Sequence, residues 1–253
     1  MKATEMLQAC LNGGRTRTFH PAVPLSPEEI AVDARAVVDA GAAELHIHPR
    51  DRDGFESLDP DDVAAALGAV RASVPGIPVG LSTGGWIRPG GRARQRQIEN
   101  WTALPDYVSV NLEEEDAPEV IDLMLQKGVG VEAGLGSPAD ARRFVNLRLA
   151  RQCLRVLIEI DEQDFKEGLA VANAIFAILD EASLTLPRLL HGSETTMWPF
   201  YHESIRRGVD ARIGLEDGAM LPSSELAESN AVLIAEASKT ASLSTTVSQA
   251  ETG

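Results

Sequence analysis

The sequence predicts a (β/α)8 barrel in a single domain. Two observations predict it. Short apolar runs alternate with longer amphipathic ones from end to end without a linker-like break, and there are eight such β-then-α units of about 30 residues each in series. A doubly wound sheet seldom uses so many units in so regular a row. The 253-residue length suits one large domain. A third observation concerns content: 44% of residues are hydrophobic but only 4% are aromatic, which predicts an aliphatic core.

The first strand is predicted over Met6–Leu11 and ends at Asn12-Gly13-Gly14. Ser26-Pro27-Glu28-Glu29 opens the first helix with a cap, a proline at the first position and early acids for the dipole; the helix runs to Ala40 and stops at Gly41. The second strand carries Glu44-Leu45-His46-Ile47-His48, and its helix begins at Asp59-Pro60 and closes before Pro75. Further strands are expected over Ile77–Leu81, Tyr107–Leu112, Val129–Leu135, Cys153–Ile160, Leu186–Leu190 and Ala211–Leu215. Their helices are expected over Arg92–Trp101, Pro118–Gln126, from Ser137-Pro138 onward, Gln163–Glu181, Trp198–Arg207 and Ser223–Ser238. Residues 1–238 then form the barrel, and 239–253, rich in Ser, Thr and Ala, are expected to be a mobile tail without chemistry.

A net charge of −15 argues against nucleic acid or an anionic membrane as the main partner, since both call for a basic field. No run approaches the length of a membrane span and the N-terminus lacks an apolar signal core. Cys10 and Cys153 lie in apolar runs and read as buried free thiols, with Cys10 reaching the site as the alternative. The expected location is cytoplasmic.

Barrel enzymes work at the carboxyl ends of their strands. Alternate strand residues share a face, so His46 and His48 lie side by side at such an end and present two of the three protein ligands a catalytic zinc or similar metal needs. Closure sets the eighth strand beside the first and the first beside the second, which lets Glu216 complete the set with a position left open. Ser82, Thr83, Asn111, Glu132, Glu159, His191 and Asp217 also end strands or lie late in them. Ser82, Thr83 and Asn111 have turn formation as the competing explanation. His20 and His202 are expected on the surface. Arg92, Arg94 and Arg96 are read as a solvated helix face, and the later acids of Glu113-Glu114-Glu115-Asp116 as dipole complements at a helix start.

Five motifs in order carry a resemblance: Asn12-Gly13 with Pro24-Leu25-Ser26-Pro27-Glu28-Glu29-Ile30; Ala40-Gly41-Ala42-Ala43-Glu44-Leu45-His46-Ile47-His48-Pro49-Arg50; Ser82-Thr83-Gly84-Gly85; Gly214-Leu215-Glu216-Asp217-Gly218; and Ala227-Glu228-Ser229-Asn230-Ala231. Together they resemble the β-keto acid cleavage enzymes, the family typified by 3-keto-5-aminohexanoate cleavage enzyme. The resemblance implies a zinc-dependent barrel, usually a homo-oligomer, that condenses a β-keto acid with acetyl-CoA and releases acetoacetate and a new acyl-CoA. It implies His46, His48 and Glu216 as zinc ligands, Asp217 as acid/base oriented by Arg212, and Ser82 and Thr83 on the substrate's oxygens, with Asn111 and Glu132 matching further polar positions.

The sixth unit, reading Leu-Arg-Val-Leu-Ile-Glu-Ile-Asp-Glu, and the seventh strand end, His191-Gly192-Ser193-Glu194, depart from the family pattern, and Asp161-Glu162 at the mouth would repel a polyanionic cofactor. These departures motivate a second reading, a metal-dependent aldolase or lyase acting on a keto acid without CoA. A third is a non-catalytic metal-binding barrel serving as sensor or scaffold.

Overall fold

The computed structural model describes the backbone of residues 6–250 and the side chains of residues 6–240. Eight parallel strands close in sequence order into a barrel. The strands are β1 (Leu7–Cys10), β2 (Glu44–Ile47), β3 (Val79–Ser82), β4 (Tyr107–Asn111), β5 (Gly130–Leu135), β6 (Arg155–Ile160), β7 (Arg188–Gly192) and β8 (Asp210–Ile213). Between and after them run α1 (Pro27–Asp39), α2 (Pro60–Ser73), α3 (Gly91–Glu99), α4 (Ala117–Gln126), α5 (Pro138–Val145), α6 (Phe165–Glu181), α7 (Met197–Arg207) and α8 (Asn230–Ala250).

Helix starts follow the capping chemistry in the sequence. Ser26 accepts from the Glu29 N–H while Glu29 reaches back to the Ser26 N–H, a complete capping box, and Pro27 occupies the first helical turn. Asp59 and Ser137 cap α2 and α5 by accepting from the Asp61 and Asp140 N–H, without the reciprocal bond, and each is followed by proline. The last helix differs from expectation: it begins at Asn230 instead of Ser223 and continues to Ala250. Residues 219–227 instead form an irregular segment held by a bridge between Met220 and Leu226. The expected tail therefore overlaps α8, and its residues 251–253 lie outside the described ones.

The barrel closes through β1 and β8, with Leu7 opposite Ala211 and Ala9 opposite Ile213. Asn230 clasps that seam. Its side chain accepts from the Leu215 N–H and donates to the Leu11 carbonyl and to Asp33 of α1. The aliphatic core lies between the sheet and the helices, as the composition predicts. The barrel interior is another matter: buried Glu132 accepts from Gln8, Ser109 and Arg155, and Arg155 also pairs with Glu44. A buried ion cluster of this kind requires every member to be satisfied.

Candidate active site

His46 lies in β2 opposite Cys10 of β1, and His48 follows one residue beyond the strand. Their Nε2 atoms are 3.0 Å apart, and Glu216 Oε1, arriving from the loop after β8, lies 3.7 Å from one and 3.2 Å from the other. One ligand atom from each residue falls within 4.8 Å of the others. Three features fit this set to a metal. His48 Nδ1 lies 2.6 Å from Glu56 Oε1; a carboxylate only accepts, so the Nδ1 proton is committed there and Nε2 is the nitrogen left to serve as a metal donor. Glu216 Oε2 is buried without a hydrogen-bond partner. Two imidazole nitrogens and one carboxylate are also the donor types that zinc takes in catalytic sites.

The approach of Glu216 depends on Gly13. This residue has φ +49°, in the left-handed region, and a Cβ there would overlap the Glu216 side chain. Asn12 secures the other wall: its amide donates to the His48 carbonyl and accepts from the His48 N–H, both at 2.9 Å. Behind His46, the Ser109 hydroxyl lies 3.4 Å from Nδ1 and donates to Glu132 at 2.7 Å. Burial lowers the His46 imidazole to about 4. Burial pushes His48 down too, but the Glu216 and Glu56 carboxylates carry it up to about 9.

Beside the triad, Arg212 of β8 grips Asp217 through both carboxylate oxygens, at 3.2 and 2.9 Å, and reaches Glu216 Oε1 at 2.9 Å. Burial raises the Asp217 carboxyl, but the Arg212 and His191 charges outweigh it and hold the group well below the usual range. Cys10 donates to Asp217 Oδ2 at 3.1 Å, so this thiol does reach the site, as a neutral donor whose pKa burial pushes up. His191 Nδ1 lies 3.3 Å from Asp217 and its Nε2 3.7 Å from Glu159.

The remaining sequence-predicted residues divide. Ser82 is buried at the end of β3 and accepts from the Gly84 N–H. Thr83 donates its hydroxyl to the Ser109 carbonyl, and Glu132 is engaged throughout by protein donors behind His46. Asn111 lines a small cavity of about 50 Å³ with Glu113, Asp140, Glu159 and Asp161. Burial, reinforced by neighbouring carboxylates, raises the Glu113 and Asp161 pKa values there.

Two sequence expectations are overturned. Arg94 is fully buried, donating to Glu114, Asp116 and the Thr83 carbonyl at 2.7 Å each, because the chain after β4 folds its acids back over α3. Those acids serve Arg94, and Asp116 makes no side-chain cap bond. His20 is buried, its Nδ1 accepting from the Ala22 N–H. His202 is exposed as expected, and both cysteines are buried free thiols. The sequence reading missed Glu56, which lies in a charged loop with no distinguishing neighbour, and Ser109, whose place directly opposite Glu132 was visible only in the paired strands.

Fold and site together define a (β/α)8 barrel whose mouth joins a buried Arg–Asp pair to a candidate metal triad. A family model for beta-keto acid cleavage enzyme matches residues 6–153 and 171–251, and the chain belongs to that family. The unmatched stretch, 154–170, holds β6 and the start of α6, where the sequence departs from the family pattern. Among relatives, the 3-keto-5-aminohexanoate cleavage enzyme of Fusobacterium nucleatum is 37% identical over 72 residues, 28% of this chain and 26% of that protein. The enzyme of the same name from Acetoanaerobium sticklandii is 33% identical over 96 residues, 38% of this chain and 34% of that one. The 3-oxoadipate:acetyl-CoA acetyltransferase of Cupriavidus necator is 39% identical over 66 residues, 26% of this chain and 23% of that protein. The chain thus spans no more than 34% of the length of these curated relatives in the matched segments. Two solved structures share the fold: apo ObcA, with TM-score 0.71 at 16% identity, covering 87% of this chain and 62% of that one, and the 3-dehydroquinate dehydratase of Geobacillus kaustophilus, with TM-score 0.61 at 15% identity, covering 96% and 91%. No helix among the described residues is long and apolar enough to cross a membrane.

Proposed function

We propose that this barrel is a zinc-dependent β-keto acid cleavage enzyme that condenses a β-keto acid with acetyl-CoA, giving acetoacetate and a new acyl-CoA. The observation that carries the reading is the convergence of His46, His48 and Glu216 beside the Arg212–Asp217 pair, in a chain of this family. The relative from Cupriavidus necator is named as an acetyl-CoA acetyltransferase, which supports the co-substrate.

His46, His48 and Glu216 would hold the metal, with Glu56 fixing the proton on His48 Nδ1. When bound, the metal supplies a Lewis acid that polarises the keto acid's oxygens and acidifies the carbon between them. Asp217 takes the proton from that carbon. Arg212, holding both oxygens of Asp217, fixes the direction from which the carboxylate approaches. In the resting site this grip keeps Asp217 ionised. Asp217 is 3% exposed, so bulk water is kept from the abstracted proton. Ser82 and Asn111 face the substrate in this reading, while Thr83 and Glu132 act through the protein groups they bond.

A second reading, an aldolase or lyase working without CoA, draws on one feature. Glu113, Asp140, Glu159 and Asp161 gather at the mouth, where a polyanionic cofactor would be repelled. The test is metal analysis of the purified protein, followed by incubation with β-keto acids with and without acetyl-CoA and mass spectrometry for acetoacetate and new acyl-CoA. Turnover without CoA replaces the first reading with the second. A metal-free protein with His46→Ala indistinguishable from the parent removes both. The homo-oligomer and the cytoplasmic, reducing location belong to the same proposal, and light scattering on the eluted protein measures the first.

A further inference from the structure

We propose that His191 is a substrate-binding catalytic residue whose imidazole donates a hydrogen bond to an oxygen of the bound β-keto acid next to Asp217; this rests on the β-keto acid reading above. The ring is 2% exposed, yet neither nitrogen has a hydrogen-bond partner among the described residues. Nδ1 stands 3.3 Å from Asp217 Oδ2 and Nε2 3.7 Å from Glu159 Oε2, contacts of charge without hydrogen-bond geometry. Buried polar side chains are nearly always hydrogen-bonded, and two orphan nitrogens on one ring call for a specific explanation.

Support of Asp217 does not provide it. Arg212 already holds both oxygens of that carboxylate, and Cys10 donates to one of them. A third holder that makes no hydrogen bond adds little orientation. Place in the fold points instead to a ligand. His191 stands opposite Glu159 in the β6–β7 register, at the end of the barrel where the Asp217 loop also emerges. Arg212 links Asp217 to Glu216, so the ring lies two contacts from the candidate metal ligands.

Chemistry fits the same role. Burial and the Arg212 charge push the imidazole down, but Asp217 and Glu159 carry it up to about 9, so at neutral pH both nitrogens bear protons and both donate. A β-keto acid presents carboxylate and keto oxygens, all acceptors, and its negative charge is delocalised onto them as Asp217 withdraws the proton. A buried cationic donor strengthens its bond as that charge grows, which is how such a group lowers a barrier. It also gives an otherwise acidic mouth, lined by Glu113, Glu159 and Asp161, a cation to receive an anion.

The test uses zinc-supplemented protein, its His191→Phe and His191→Gln variants, and acetoacetate as the binding probe in calorimetry. His191→Phe keeps the volume and removes both donors; kcat/KM on the accepted β-keto acid is expected to fall about 100-fold, with acetoacetate binding weakened and the melting temperature not lowered. His191→Gln retains an N–H donor and is expected to recover about tenfold of that loss. Equal acetoacetate affinity and kcat/KM in parent and His191→Phe overturn the assignment while leaving the proposed function standing. Equal losses in both variants with a lowered melting temperature make His191 structural and also overturn it. A parent that neither binds acetoacetate nor turns over any β-keto acid fails at the earlier reading, and this inference falls with it. Should His191→Phe not fold, ¹⁵N-histidine spectra of the parent decide: the His191 nitrogen resonances move on adding acetoacetate, and unmoved resonances with acetoacetate bound refute the contact.

Discussion

Replacing Arg94 by methionine removes a guanidinium that is 0% exposed while leaving its carboxylate partners in place. Three bonds of 2.7 Å are lost, to Glu114, Asp116 and the Thr83 carbonyl. Truncating one side of a buried ion pair costs roughly 3–5 kcal/mol, most of it from the charge left unpaired. Here Glu114 is 11% exposed and Asp116 26%, so water regains part of both, which puts the expected cost near the lower bound, about 3 kcal/mol. For a chain of this size each kcal/mol moves the melting temperature by roughly 2–4 °C, so a fall of about 6–12 °C is expected by calorimetry. The triple variant Arg94→Met, Glu114→Gln, Asp116→Asn removes the orphaned charges and should regain much of the loss. A single variant within 1 kcal/mol of the parent (~3 °C) refutes the account, as does a triple variant no more stable than the single. Glu114 also accepts from the Gly85 N–H, so the single variant should loosen the turn that follows Ser82 at the end of β3 and includes Thr83. Faster amide exchange confined to residues 83–90 would register this.

Three further predictions follow from the site and the seam. Glu56→Gln withdraws the carboxylate that holds the His48 Nδ1 proton, and zinc affinity measured by chelator competition should fall about 10–100-fold; an unchanged affinity separates Glu56 from the metal. Asp217→Asn should keep the metal and lose turnover, and retained full activity would remove Asp217 from the mechanism. Asp33 is raised from 3.8 to about 6 by burial, against the opposing Asn230 bond. Its folded pKa lies above the unfolded one, so the stability tied to its neutral form is complete below pH about 4 and lost as pH rises through about 6. Asp33→Asn keeps an acceptor for Asn230 and should stabilise the fold by about 2 kcal/mol at pH 8, with the gain shrinking at pH 4.5; equal melting shifts at the two pH values would contradict the linkage.

Much of the barrel is legible from the sequence because its signals are local. Ser26, Asp59 and Ser137, each before a proline, start α1, α2 and α5 through bonds that span three residues or fewer. The sequence reading places Asn230 inside a helix begun at Ser223, while the residue that opens α8 is fixed by Leu215, Leu11 and Asp33, distant in sequence. Arg94 departs from the sequence reading for the same reason: three arginines at alternating positions look solvated until acids 20 and 22 residues on fold over one of them.

The candidate site divides along the same line. By itself the sequence determined that His46 and His48 share one strand end and that Glu216 and Asp217 emerge where the barrel closes, because strand alternation and barrel order follow from local pattern. Tertiary structure alone decided which groups act on them. Glu56 on His48, Ser109 and Glu132 behind His46, Cys10 against Asp217 and His191 between Asp217 and Glu159 are each made by residues 8 to 207 apart in the chain. Burial and nearby carboxylates then set their charge: the His46 imidazole in β2 is lowered to about 4 by burial, while that of His48, just beyond the strand, is carried against burial to about 9 by Glu216 and Glu56. Residue type and spacing name donor atoms, but proton affinity depends on desolvation and on charges a few ångströms away, and those distances exist only once the chain has folded.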